Sequence, residues 1–201
     1  LSTAHEAAPI GITVEGANIM TRSLIIFGQG AFRCHPFVLK EIEAVNLEDE
    51  KEAIEQFDIH FFNHIGYTLT NAASSFVRGI TDKFTDSPVL DETAIYYRAI
   101  NRFSAAFALL TDVSMLVIGG SLKRKETISA RLGDVLSALY LASTSLKYYE
   151  DTGDKESELP LVHWTQKTLL SDAQEKIDQV LSNFPNKFIS LLMRLIIFPL
   201  G

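Results

Sequence analysis

A single cysteine, Cys34, leaves this chain without any internal disulfide. That usage is compatible with a reducing compartment, so the cytoplasm is the expected location. Breakers are sparse too: six prolines and eleven glycines in 201 residues leave long uninterrupted stretches, which argues against a turn-rich sandwich or barrel and for long helices. An excess of basic charge is missing. The 18 Lys and Arg are outnumbered by 25 Asp and Glu, for a net charge of -7, and no basic face offsets it, so no nucleic-acid partner is expected. Uninterrupted apolar runs of the ~20 residues that a membrane helix needs are also lacking: Asp112 breaks the run from Phe103 to Gly120, and Arg194 breaks the run from Phe188 to Leu200. The chain starts at Leu1, and its first thirty residues contain no basic segment followed by an apolar core and a cleavage site. The expectation is that the natural N-terminus is absent.

What is present is enough to fold. With 47% hydrophobic and 21% charged residues the chain can bury a sizeable core, and the expected fold class is all-α, a helical bundle of long antiparallel helices. After Gly16, the run Asn18 to Phe27 reads as a short helix that places Glu15 just before its N-terminus. Pro36 suits the first turn of a helix to about Val45. The acidic stretch Glu48, Asp49, Glu50, Glu52 and Glu55 reads as a solvated helix start, with one helix from about Glu48 to Ile65 and another from about Tyr67 to Phe84, before the turn residues Asp86, Ser87 and Pro88.

The strongest periodicity follows. Tyr96, Ile100, Phe103, Phe107 and Leu110 recur at spacings of four and three, up to the stop at Gly119 and Gly120. Ile128, Leu132, Val135, Leu139, Ala142, Leu146 and Tyr149 repeat the pattern to Gly153, and two such stripes joined by a short loop predict an antiparallel pair. A further helix is expected from about Leu161 to Leu181, ended by Pro185, and a last, very apolar one over Asn186 to Phe198.

His60 and His64 stand four apart on one helix face, a spacing metals use, but no Glu sits between them as in the zinc-protease pattern; packing or surface histidines are expected and no metal. No Glu-x-x-His occurs, which removes a carboxylate-bridged metal bundle. Lys123, Arg124 and Lys125 read as a solvated turn, without the Gly and Lys spacing of a phosphate loop. Asp112, inside an apolar helix, needs a buried partner, and an arginine across the helix pair is the expected one. Arg131 and Asp134, three apart, read as structural.

Chemistry enters with the run Thr13-Val14-Glu15-Gly16-Ala17-Asn18-Ile19-Met20-Thr21-Arg22 and its continuation Ser23 to Ala31. This run resembles the acyl-CoA dehydrogenase signature, an aromatic or aliphatic residue before Glu-Gly-Thr, then Asn or Ser, then an Arg. Later stretches resemble the proteobacterial long-chain branch of the same family, which carries an extra helical C-terminal domain: Gly119 to Arg124, Ala130 to Leu136, and Leu159 to Trp164. The resemblance implies an enzyme, an FAD-dependent oxidoreductase of fatty-acid β-oxidation that converts long-chain acyl-CoA to trans-2-enoyl-CoA and passes electrons to an electron-transfer acceptor.

It also implies roles. Glu15 would be the base that takes the α-proton, and Gly16 would let the backbone approach the thioester substrate. Ala17, Asn18 and Ile19 would touch FAD, and Arg22 would support the cofactor, a subunit contact or merely an acid. Ala17 departs from the usual Thr, so a hydroxyl contact to the cofactor is lost. Residues 1–35 would be the end of the catalytic core and 36–201 an α-helical extension, with a homo-oligomer and a peripheral inner-membrane contact among the expected partners. The alternative is a non-catalytic helical interaction module, motivated by the apolar terminal helix.

Overall fold

The computed structural model describes residues 30–81, 87–152 and 155–200. The described residues form seven α-helices and one 3-10 helix, with no strand among them: α1 (Gly30–Cys34), α2 (Val38–Val45), α3 (Glu50–Ile80), α4 (Ala94–Ile118), the 3-10 turn Gly119–Arg124, α5 (Glu126–Thr152), α6 (Lys155–Asn183) and α7 (Lys187–Ile197). The all-α bundle expected from the sparse breakers is what the chain adopts. The predicted helix over 18–27 lies outside the described residues.

Two boundaries differ from expectation. The helices predicted over 48–65 and 67–84 are one helix, α3. Its N-cap Asp49 accepts from the backbone N–H of Lys51 and Glu52 at 2.9 and 3.1 Å, and Glu50 and Glu52 in the first turn complement the helix dipole. A helical glycine costs only about 1 kcal/mol against alanine, too little for Gly66 to divide a helix that packs on α2, α4 and α7. The second difference is α6, which begins at Lys155 rather than near Leu161 and carries Pro160 in its second turn. So near the N-terminus a proline forfeits a single intrahelical bond, the one its N–H would have made.

The centre of the bundle is the α5–α6 pair, which packs most extensively, with α4 laid against both. Leu110, Leu132, Leu146, Ile177, Leu181 and Phe184 are fully buried there, and the two stripes read from the sequence are the inner faces of α4 and α5. Burying each such side chain contributes about 1.5–3 kcal/mol. Gly119 stops α4 with a φ of 57°, a left-handed conformation that glycine adopts without penalty. Together α4 and the turn after it are long and apolar enough to cross a membrane by length and composition, but Phe103, Ala106, Leu109 and Leu110 of this helix are core residues.

The last helix, α7, starts at Asn186, whose side chain accepts from the N–H of Phe188 and Ile189 at 3.0 and 3.1 Å. It is held to α6 by Ser190 Oγ donating to the Leu181 carbonyl at 2.6 Å and by Arg194 paired with Asp178 at 2.5 Å. Just beyond it, Pro199 closes on the end of α3. A Cβ added at Gly79 would stand 2.7 and 2.8 Å from the Pro199 ring carbons, whereas one added at Gly66 would meet nothing within 4 Å. We therefore expect Gly79→Ala to lower the unfolding free energy by about 1–3 kcal/mol through overpacking. Gly66→Ala should raise it by up to about 1 kcal/mol. Urea denaturation of the two variants checks this; shifts of the same sign would refute the close approach.

Candidate functional site

The most concentrated polar chemistry among the described residues lies where the α1–α2 connection, α2, α3 and α4 meet. His35 follows α1 directly. Its Nδ1 accepts from the backbone N–H of Phe37 and Val38 at 3.2 and 3.1 Å, so a histidine performs for α2 the service that Ser, Thr, Asp or Asn usually performs at a helix start. A nitrogen that accepts two N–H bonds carries no proton, which assigns the ring proton to Nε2. Nε2 then donates to Asp112 Oδ1 at 2.8 Å. Asp112 is 6% exposed, and its other oxygen accepts from Thr68 Oγ1 on α3 at 2.7 Å. Both oxygens of the buried carboxylate thus accept a hydrogen bond.

One turn before Thr68, His64 faces the same carboxylate. Its Nδ1 lies 2.8 Å from Glu41 Oε1 on α2, and its Nε2 lies 3.8 Å from Asp112 Oδ1. Aromatic rings enclose the group: Phe37 stacks on His64 at 5.9 Å, and Tyr67 meets His35 edge-on at 5.6 Å. The expectation of an arginine partner for Asp112 is corrected here. A histidine in a connection and a threonine on α3 take that place, because α3 and the chain before α2, rather than a basic position on α5, cover this stretch of α4. Of the predicted His60–His64 pair, only His64 enters the cluster.

One ligand atom from each of His35, His64 and Asp112 lies within 4.8 Å of the others, a separation compatible with one small cation. The proton positions oppose that use. To ligate through Nε2, His35 would have to release the proton it gives Asp112 and move one to Nδ1, against two N–H donors. The donor set suits a hydrogen-bonded lock that joins α2, α3 and α4.

Beside the lock lies a cavity of about 380 Å³ whose walls include Ala31, Cys34, Tyr67, Phe107 and Thr111, with His35 and Asp112 at its polar end. A groove of about 980 Å³ runs between α4, α6 and α7, over Phe103 and Phe198, with Lys167, Asp178 and Arg194 on its rim. Neither is lined as a flavin dinucleotide requires: the cavity offers a carboxylate where the pyrophosphate needs cations or free N–H groups, and the groove sets Glu175 and Asp178 beside its two cations, Lys167 and Arg194, the latter paired with Asp178. At the head of the same groove Tyr96 Oη is 2.7 Å from His163 Nδ1, and burial pushes the Tyr96 hydroxyl above its ordinary value. The neighbouring Tyr97 is raised as well, by burial first and then by Glu150, Asp91 and Asp151.

The residues predicted to carry catalysis and cofactor contact, Glu15, Gly16, Ala17, Asn18 and Ile19, lie outside the described residues, as does Arg22. Of the other singled-out charges, Arg131 pairs with Asp134 at 3.1 Å, three residues apart as read. Arg124 and Lys125 are exposed at the end of the 3-10 turn.

The described residues form an all-α domain around a buried His–Asp–Thr lock. The family model described as "Acyl-CoA dehydrogenase, C-terminal, bacterial type" matches residues 32–201, and the chain belongs to this family. No solved structure matches the chain.

Proposed function

We propose that the chain is the C-terminal part of an FAD-dependent acyl-CoA dehydrogenase that oxidises long-chain acyl-CoA to trans-2-enoyl-CoA in fatty-acid β-oxidation, with Glu15 as the base. The observation that carries the reading is the family match over 32–201, joined directly to the Glu15-Gly16-Ala17-Asn18 run that precedes it. Long-chain preference and a proteobacterial origin rest on the branch that the run 13–31 and the later stretches resemble. In such an enzyme a carboxylate would remove the proton from Cα, and bound FAD would supply the acceptor for the hydride from Cβ. Ala17, Asn18 and Ile19 are the candidates for contact with the cofactor, Gly16 for contact with the thioester, and an electron-transfer acceptor reoxidises the flavin. The helical domain is the extension of that core, in a cytoplasmic enzyme.

The test is anaerobic titration of the complete enzyme with a long-chain acyl-CoA, followed by flavin absorbance. Bleaching supports the reading. An enzyme that carries no flavin, or whose bound flavin a long-chain acyl-CoA leaves oxidised, would refute it.

A second reading has its own observation. Phe188, Leu191, Leu192 and Leu195 of α7 are exposed, an apolar surface of the kind that marks an interaction site, which favours a helical interaction module or a peripheral contact with the inner membrane. Co-sedimentation with anionic vesicles, with and without Leu191→Asp/Leu195→Asp, decides it. Pelleting of wild type that the double variant abolishes is the expected result of membrane contact, and equal pelleting of the two removes the membrane version of this reading.

A further inference from the structure

Close-packed interiors leave few voids larger than a water molecule. The cavity beside the lock, at about 380 Å³, is well beyond that and has the volume of a modest ligand pocket. One face of α4 builds a wall of it: Ser104, Ala108, Thr111 and Asp112 follow one another at the spacings of a helix face, and α1, α3 and α5 close other sides. Cys34 and Ser104 line the cavity and are exposed, which puts its opening between α1 and α4.

The walls are mostly apolar, and two of the few polar groups have capacity to spare. Thr111 is 6% exposed, and none of the described residues hydrogen-bonds its hydroxyl. A buried hydroxyl in that state costs stability and is an exception among buried polar groups. Asp112 is the second. Each of its oxygens accepts one hydrogen bond, from His35 and from Thr68, where a carboxylate oxygen has room for two. His64 Nε2 stands 3.8 Å from Oδ1, outside hydrogen-bond distance.

Charge selects what can enter. No Lys or Arg lines the cavity, and His35 meets the carboxylate as a neutral donor, because its Nδ1 accepts two backbone N–H bonds. An anion would face the Asp112 charge in apolar surroundings without a cation to offset it, at a cost. A ligand O–H or N–H is what a carboxylate with free lone pairs takes, and the charge strengthens that bond.

We propose that this cavity is a binding site for a small, mainly apolar molecule that carries no negative charge and ends in a hydrogen-bond donor, an alcohol or a primary amine. Asp112 is its acceptor and the Thr111 hydroxyl its second polar contact. His35 and Thr68 then act twice, since the bonds that join α2, α3 and α4 also fix the carboxylate toward the ligand. The inference rests on the cavity alone, not on the dehydrogenase chemistry, so the two can fail separately.

Three probes on one carbon skeleton test it: phenethyl alcohol, phenethylamine and phenylacetate, each titrated into the full chain while alanine and threonine methyl groups are followed by NMR. The alcohol, the amine or both should shift the methyl signals of Ala31, Ala108 and Thr111, and should leave in place that of Ala99, which lines the groove between α4, α6 and α7. Their binding should be at least about tenfold tighter than that of phenylacetate. Thr111→Val keeps the shape and removes the hydroxyl. It should weaken binding about threefold or more while raising the melting temperature of the ligand-free chain, since valine leaves no buried hydroxyl to satisfy. A hydroxyl with a merely structural role would lower the melting temperature when removed and leave the affinity alone, and that result overturns the proposal. So does phenylacetate binding as tightly as the other two, or shifts at Ala99 in place of Ala31 and Ala108. Absence of binding by both the alcohol and the amine, the result if water or another part of the polypeptide fills the cavity, overturns it as well.

Discussion

Glu15→Gln is expected to leave FAD bound to the complete enzyme and to slow flavin bleaching by long-chain acyl-CoA about 10²–10⁴-fold, the range that a positioned general base contributes. Glutamine keeps the size and one oxygen of glutamate but cannot take up a proton, so binding and chemistry separate. In the proposed role, Glu15 has to hold the α-proton in a pocket from which water is excluded, where desolvation strengthens a carboxylate as a base. Rapid-mixing absorbance of wild type and variant, with flavin content matched, checks it. Equal rates would place the base on another residue while leaving the flavoenzyme reading intact.

His35→Leu should be the most destabilising single change in the buried lock. It removes the Nε2–H that serves Asp112 at 2.8 Å and the Nδ1 that caps α2. Taking one of two donors from a buried carboxylate, which then keeps only the Thr68 hydroxyl, costs about 3–5 kcal/mol, which for a chain of this size lowers the melting temperature by roughly 10 °C. Asp112→Leu alone strands the His35 N–H, at about 1–3 kcal/mol, whereas the Thr68 hydroxyl keeps the His64 carbonyl at 3.1 Å. The double variant His35→Leu/Asp112→Leu removes both halves of the pair, and apolar replacement of a buried polar pair is often close to neutral. We therefore expect the double variant to be more stable than the sum of the singles by more than about 1 kcal/mol in a urea double-mutant cycle. Strict additivity would mean that the two side chains do not act as a unit.

These residues also show where reading the sequence succeeds and stops. The stripes of α4 and α5 were legible because they repeat every three to four residues over about four and six turns, and stripes that long have to be buried against another element. The end of α4 was legible in Gly119. The division of α3 at Gly66 was not correct, since a glycine weakens a helix by an amount that packing on three neighbours exceeds. The start of α6 was read too late as well: the helix begins at Lys155, with Pro160 in its second turn.

The lock was half legible. An aspartate in the middle of an apolar helix announces that it needs a partner, and the spacing of His60 and His64 singled out His64. That the partner is His35, 77 positions away in the sequence, depends on which connection crosses α4, and no local pattern encodes that. Thr68 and Glu41 carry no signal of their own, because single polar residues on a helix are ordinary. The run 13–22 was readable as chemistry only through likeness to a family, since one glutamate before a glycine is common in any protein.

Asp112 also has an order built into it. His35, Glu41, His64 and Thr68 all precede it in the sequence, whereas α5 and α6, which bury much of the rest of α4, follow it. As the chain leaves the ribosome, α4 therefore emerges with every group that answers its one acidic side chain already made, and with most of the surface that answers its apolar side not yet synthesised. During that interval the helix can dock on α3 through its polar side, while its apolar side awaits the last third of the protein, and chaperones that bind bare apolar helices have their opening then.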